Sequence, residues 1–235
     1  MYKGIIFDFN GTLFFDSEKH LEAWREFSKH VRKYEFTDEE MRDFMFGRTN
    51  KDILAYLLKR EPEPELVEEL TREKEALYRE MCRKDKQNTH LCDGAVELLN
   101  YLVEQNIPHT IATMSEKTNV DFFIETFNLG KWFDLEKIVY DDGTIPGKPA
   151  PDIYIKAAKN LGLDTKDCIV VEDAVSGLES AYRAGAGKII AIASMESDEL
   201  YKQIPYVSEI IHNFKNFDKN LFSKKKSTLK VENLF

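Results

Sequence analysis

Residues 5–13 read IIFDFNGTL. The apolar run ends on one carboxylate, Asp8, and Asn10-Gly11 follows, so the stretch reads as a buried strand closing in a tight turn. Similar short runs recur at GIIFDF (4–9), HTIATM (109–114), KIVY (137–140), CIVVED (168–173) and KIIAIA (188–193). Helical patterns at 94–105, 117–127, 152–160 and 174–184 lie between several of them. Strand alternating with helix predicts an α/β fold, a Rossmann-like parallel sheet with helices on both faces. Ligands in such a sheet collect at the carboxyl ends of the strands, where Asp8 stands.

Residues 16–88 interrupt that alternation. They contain no convincing strand but four helix-like segments rich in Glu, Lys, Arg and Leu, separated by EFTDEE, FGRTN and EPEPE. This predicts an all-helical insert, with Thr37 and Glu40 as a capping box and Pro62 and Pro64 at a helix-to-helix joint. The charges of KEALYREMCRKDK (74–86) read as an ordinary solvated helix face. The expected organisation is a core of residues 1–15 and 89–218, a helical cap of residues 16–88, and a loosely held, lysine-rich tail from 219 to 235.

With 235 residues and 43% hydrophobic content, the chain can bury one full core and a smaller accessory unit. A formal charge of -9 argues against general binding to nucleic acid or to an anionic membrane, so an anionic ligand must be captured locally. Cys82, Cys92 and Cys168 form no CxxC pair and read as reduced thiols. The apolar run before Asp8 is short for a signal peptide and no window of about 18 apolar residues occurs. A soluble cytoplasmic protein is expected, as a monomer or weak homo-oligomer.

Four stretches fall at strand ends. In DFNGT, Gly11 permits a bend that brings backbone amides against an anion, although an ordinary turn reads the same way. In IATMS, Thr113 and Ser115 leave a strand just before a helix, where hydroxyls hold phosphate oxygens; an N-cap explains Ser115 equally well. In PGKPAPD, three prolines stiffen the loop that carries Lys148. In VVEDAVSG, the adjacent carboxylates of Glu172 and Asp173 repel unless a cation offsets them, which suggests a hard divalent metal; helix capping by Asp173 is the alternative.

Together and in this order, the four stretches resemble the signature motifs of the haloacid dehalogenase superfamily. The insert, with DSEKHLEAW and FGRTNKDIL, looks like the α-helical cap of its β-phosphoglucomutase and phosphatase branch. The resemblance implies that Asp8 is the nucleophile and forms an aspartyl phosphate, that Thr113 and Lys148 hold the phosphoryl group, and that Mg2+ is bound by Asp8, the Asn10 carbonyl, Glu172 and Asp173. Gly11, Thr12, Ser115 and Arg48 are the expected substrate contacts. The implied activity is a Mg2+-dependent phosphatase for a small phosphomonoester, a phosphorylated metabolite such as a sugar phosphate.

Position 10 departs from that pattern. Typical members carry an aspartate that protonates the leaving oxygen and then activates water, and Asn10 cannot exchange a proton. General acid-base catalysis is worth about 10²- to 10⁴-fold. His20 is the candidate to compensate, although a lone helical histidine beside Trp24 also reads as packing. Deamidation at Asn10-Gly11 is a further route to an acid. The alternatives are phosphoryl transfer of the β-phosphoglucomutase type and a phosphometabolite-binding protein with weak turnover.

Overall fold

The structure, a computed structural model, describes residues 1–44, 49–194 and 196–222. It opens with β1 (Gly4–Phe7) and then four helices, α1 (Ser17–Arg32), α2 (Asp38–Phe44), α3 (Asn50–Leu58) and α4 (Pro64–Lys84). Alternation starts after them with α5 (Ala95–Glu104), β2 (His109–Glu116), α6 (Lys117–Phe127), β3 (Val139–Asp141) and α7 (Asp152–Asn160). It continues through β4 (Cys168–Glu172), α8 (Val175–Arg183), β5 (Lys188–Ile192), α9 (Asp198–Lys202) and β6 (Glu209–Ile211).

The six strands are all parallel, in the order β3-β2-β1-β4-β5-β6. Because side chains alternate across a strand, each strand feeds two cores. Ile5, Phe7, Ile169, Val171, Ile190 and Ile192 face Leu98, Leu99 and Leu102 of α5 and Val120 and Phe123 of α6. Ile6, Val170, Ile189 and Ala191 face Ile153 and Ala157 of α7 and Leu178 and Ala181 of α8. Each such Ile or Phe contributes about 1.5–3 kcal/mol relative to exposure. The chain steps from β1 out to β3 and then returns to the other side of β1, so the direction reverses beside β1, the place where such sheets bind ligands at their carboxyl ends.

The helices before α5 build a separate cluster around Trp24, Phe27, Phe36, Ile53, Leu54 and Leu57. The Thr37–Glu40 capping box forms, with reciprocal bonds of 3.2 and 2.9 Å. The second half of α4 departs from the expected solvated face. Lys74, Glu75, Tyr78 and Arg79 are all buried, and Tyr78 and Cys82 join the core cluster with Phe9 and Phe14. Their spacing places them on one stripe, and that stripe turns toward the core instead of water.

Other boundaries also moved. The short β6 and α9 had no counterpart in the sequence reading; β6 is fixed by pairing with β5, from Ile190↔Glu209 to Ile192↔Ile211. The start of the segment expected to be a loose tail is packed, because Phe222 is buried and bridges to Tyr2 while Tyr2 N donates to Leu221 O at 2.8 Å. The rest of that tail lies outside the described residues, as does Arg48. The three cysteines are free and buried. No helix among the described residues is long and apolar enough to cross a membrane.

Candidate active site

Pairing of Phe7 with Val171 sets the ends of β1 and β4 side by side, and Asp8 N donates to Val171 O at 3.0 Å. That register delivers Asp8 next to Glu172 and Asp173. One carboxylate oxygen from each lies within 4.8 Å of the others. Lys148 Nζ reaches into the group and donates to Asp8 Oδ1 at 2.6 Å and Glu172 Oε1 at 2.5 Å. Tyr154 OH and Ala174 N fix Glu172 at 3.2 and 2.7 Å. Asp173 therefore does not cap α8 through its side chain.

Three carboxylates share one ammonium here, and burial makes the imbalance costly. Burial raises Asp8 to about 7, the charge of Glu172 adding to it and that of Lys148 opposing it. Burial, with Glu172 and Asp8, likewise holds Asp173 well above the usual carboxylate range. The donor set is all oxygen and over-negative, which fits a hard divalent cation such as Mg2+. Two glycines make the close approach possible. A Cβ at Gly177 would sit 1.7 Å from Glu172 Oε1, and one at Gly11, where φ is +73°, would sit 2.1 Å from Asp173 Oδ2.

The turn after Asp8 is wired differently from expectation. Gly11 N donates to Phe14 O at 2.7 Å and to Asp16 Oδ1 at 3.1 Å, so that amide is spent inside the turn and not offered to an anion. Thr12 is fully buried and its hydroxyl donates to Asp173 Oδ1 at 3.2 Å, so it supports that carboxylate. Ser115 is not an N-cap, because β2 runs on to Glu116, paired with Asp141. Its hydroxyl donates to Asn10 Oδ1 at 2.6 Å, with the Thr113 hydroxyl 3.4 Å from the same oxygen. Asn10 Nδ2 in turn donates to Asp16 Oδ2 at 2.5 Å. A carboxamide held at both ends, beside a Gly11 nitrogen bonded to two acceptors, opposes the succinimide geometry that deamidation requires.

Asp16 joins the turn after Asp8 to the helical insert, and its residue type and position gave no signal of this. Besides Asn10 and Gly11, it accepts a short bond from Tyr78 OH and faces His20 Nε2 at 3.4 Å. Burial acts upward on Asp16, but the hydrogen bond and charge of His20, then Tyr78 and Asn10, keep it below the usual carboxylate range. His20 stacks on Tyr78 with ring centroids 3.9 Å apart, and its Nδ1 lies 3.0 Å from Lys74 Nζ. Lys74 also bonds Glu75 at 2.6 Å, Asn119 Nδ2 donates to Glu75 Oε2 at 2.8 Å, and Arg79 Nη1 donates to Asn119 Oδ1 at 2.6 Å. The signal for these α4 residues was the helical spacing of Lys74, Tyr78 and Cys82.

Comparison with known proteins agrees with the geometry. Residues 2–185 match the model of the haloacid dehalogenase-like hydrolases. Validoxylamine A 7'-phosphate phosphatase of Streptomyces hygroscopicus subsp. limoneus is 33% identical over 186 residues, 79% of this chain and 83% of that protein. Hexitol phosphatase A of Escherichia coli K12 is 29% identical over 199 residues, 84% and 87% of the two chains. The crystal structure of a family IA, variant 3 hydrolase from Entamoeba histolytica superposes with a TM-score of 0.88 at 42% identity, covering 93% of this chain and 96% of that one. The chain belongs to the haloacid dehalogenase-like hydrolases and has the fold of their β-phosphoglucomutase-like branch.

Proposed function

We propose that the protein is a Mg2+-dependent phosphatase acting on a small phosphomonoester, a sugar phosphate or similar metabolite, through an aspartyl phosphate on Asp8. The observation that carries this reading is Lys148 Nζ bridging Asp8 and Glu172 inside a group of three carboxylates at the carboxyl ends of the strands. Asp8, Glu172 and Asp173, with the Asn10 carbonyl, are the residues that would hold the metal, which when bound supplies charge to offset the transferring phosphoryl group. The relatives that carry phosphatase names support the reaction class.

In the forward step an Asp8 oxygen attacks phosphorus, the bond from phosphorus to the leaving oxygen breaks, and that oxygen takes up a proton. Lys148 favours the ionised form of Asp8 and orients its carboxylate, and Thr113 and Ser115 turn their hydroxyls from Asn10 to the phosphoryl oxygens. Water then attacks the aspartyl phosphate at phosphorus, releasing phosphate and restoring the carboxylate. Asn10 contributes a hydrogen bond but no proton. His20, one carboxylate removed through Asp16, is the residue we assign to supply it.

A panel of phosphomonoesters assayed with wild type and Asp8→Ala tests the proposal. Phosphate release by wild type that falls by about 10⁴-fold or more in Asp8→Ala is expected; activity that survives the substitution would overturn the mechanism. Asn10 favours a second reading, a phosphometabolite-binding protein with weak turnover. It takes precedence if wild type binds phosphate and Mg2+ yet hydrolyses neither p-nitrophenyl phosphate nor acetyl phosphate.

A further inference from the structure

Tyr154 sits in the first turn of α7, a short way along the chain from Lys148, and is fully buried in the apolar cluster that holds Ile6, Ala112, Val170 and Leu178. Packing alone would be met by a phenylalanine, whereas a phenol hydroxyl in such a cluster needs a partner. It has one in Glu172, donating to Oε1 at 3.2 Å. The ring makes a second contact, because Lys148 Nζ lies 5.2 Å from its centroid, within the range of a cation over an aromatic face. One side chain thus touches both Glu172 and Lys148.

Those two residues are under competing demands. Lys148 Nζ donates to Glu172 Oε1 at 2.5 Å and to Asp8 Oδ1 at 2.6 Å, and its contact with Ala112 O is long at 3.5 Å. Two carboxylates therefore pull on one ammonium. Glu172 has little room to give way, since Ala174 N holds Oε2 at 2.7 Å and the Cα of Gly177 stands so close that an added Cβ would overlap Oε1. The Tyr154 hydroxyl gives Oε1 a second donor, so that Lys148 is not its only partner, and the ring gives the ammonium a neighbour besides the two carboxylates. Hydrogen bonds of this kind fix the direction in which a carboxylate faces a metal.

We propose that Tyr154 is a positioning residue with two separable roles: its hydroxyl orients Glu172 for the divalent cation, and its ring holds Lys148 in place against Asp8. The inference rests on the phosphatase reading above. Because each role acts through a different side chain, the two respond differently to Mg2+. Loss of the hydroxyl weakens the hold on the cation, and a higher Mg2+ concentration restores occupancy. Loss of the ring shifts Lys148, and added Mg2+ does not put it back.

The test follows the thermal midpoint and phosphate release as Mg2+ is raised, in wild type, Tyr154→Phe and Tyr154→Met, with p-nitrophenyl phosphate and sugar monophosphates as esters. In Tyr154→Phe the Mg2+ concentration that gives the half-maximal midpoint shift is expected to rise roughly 10-fold, the usual scale for losing an outer partner of a metal ligand. Its kcat at saturating Mg2+ should return to that of wild type. In Tyr154→Met the same rise should be joined by a kcat about 10-fold below wild type even at saturating Mg2+, the order of a desolvated contact between a cation and an aromatic face. Tyr154→Leu takes its place if the methionine variant folds poorly. A phenylalanine variant with the Mg2+ response of wild type, or with a loss of kcat that Mg2+ does not restore, would overturn the role of the hydroxyl. Full recovery of kcat in the variants without a ring would overturn that of the ring. A wild type that is stabilised by Mg2+ but hydrolyses no ester would overturn the phosphatase reading and the ring's role with it, while the midpoint shifts still decide the hydroxyl's. A wild-type midpoint indifferent to Mg2+ would overturn the proposal entirely.

Discussion

At the strand ends, Asp8, Glu172 and Asp173 share a single ammonium, Lys148, and the carboxyls of Asp8 and Asp173 are pushed up. Along the seam with α4, Asp16 and Glu75 are just as buried, yet both are pulled down, Glu75 to about 2. Burial acts upward in both places; the difference lies in the donors. Asp16 is met by Asn10, Gly11, Tyr78 and His20, and Glu75 by Lys74 and Asn119. The strand ends are thus left short of positive charge, and the seam is not. Buried charge signals chemistry only where its partners fall short.

The comparison can be broken first at the residue that joins the two regions. Asn10→Asp is expected to raise kcat for alkyl phosphates by about 10²- to 10⁴-fold, with a much smaller change for acetyl phosphate, whose leaving group needs little protonation. The same change sets a carboxylate against Asp16, so the thermal midpoint should fall. No gain on alkyl esters would assign the proton to His20, which His20→Asn then removes.

The next largest effect contrasts two aspartates in urea denaturation. Asp16→Ala strands the Tyr78 and Asn10 donors in the interior and removes the partner of His20, and should cost about 3–5 kcal/mol. Asp8→Asn, which removes a charge from an over-negative group, should leave the metal-free protein at least as stable as wild type. Equal losses would show that the strand ends are satisfied after all. Mg2+ at 100 times its Kd should then stabilise wild type by about 2.7 kcal/mol. Asp173→Asn should lose that increment and Glu75→Gln should keep it.

The smallest effect is a pH dependence confined to the seam. Burial opposes ionisation of Glu75, but the charges of Lys74 and His20 and the hydrogen bonds from Lys74 and Asn119 together outweigh it, bringing the folded value to about 2 from 4.5. Its contribution to stability is therefore complete above about 4.5 and is lost as pH falls toward 2. Acid titration of the denaturation midpoint should be shallower over that window in Glu75→Gln. An unchanged slope would remove Glu75 from the satisfied set.

The local pattern of the chain was enough for much of this. Apolar runs ending in Asp8 and Glu172 placed those carboxylates at strand ends, since a strand that must be buried on both faces carries its own signature. Lys148 was legible as a cation held by prolines. Thr12 and Ser115 were legible as polar residues near the turn, but not in their partners, because a hydroxyl's target depends on which strand lies beside it. The three-residue β6 and the packed Phe222 left no periodicity to read; each exists through a neighbour that is remote in sequence.

What the sequence alone determined was the doubly wound sheet, the helical insert after β1 and the placing of Asp8, Glu172 and Asp173 at strand ends. Each is written in local periodicity and short spacing. Only the tertiary structure decided that Asn10 is clamped between Ser115 and Asp16, and that Lys74, Glu75 and Arg79 are interior. A charged helical stripe reads the same whether it faces water or a matching set of charges, and the choice is made by long-range contacts that desolvate one side and supply its donors.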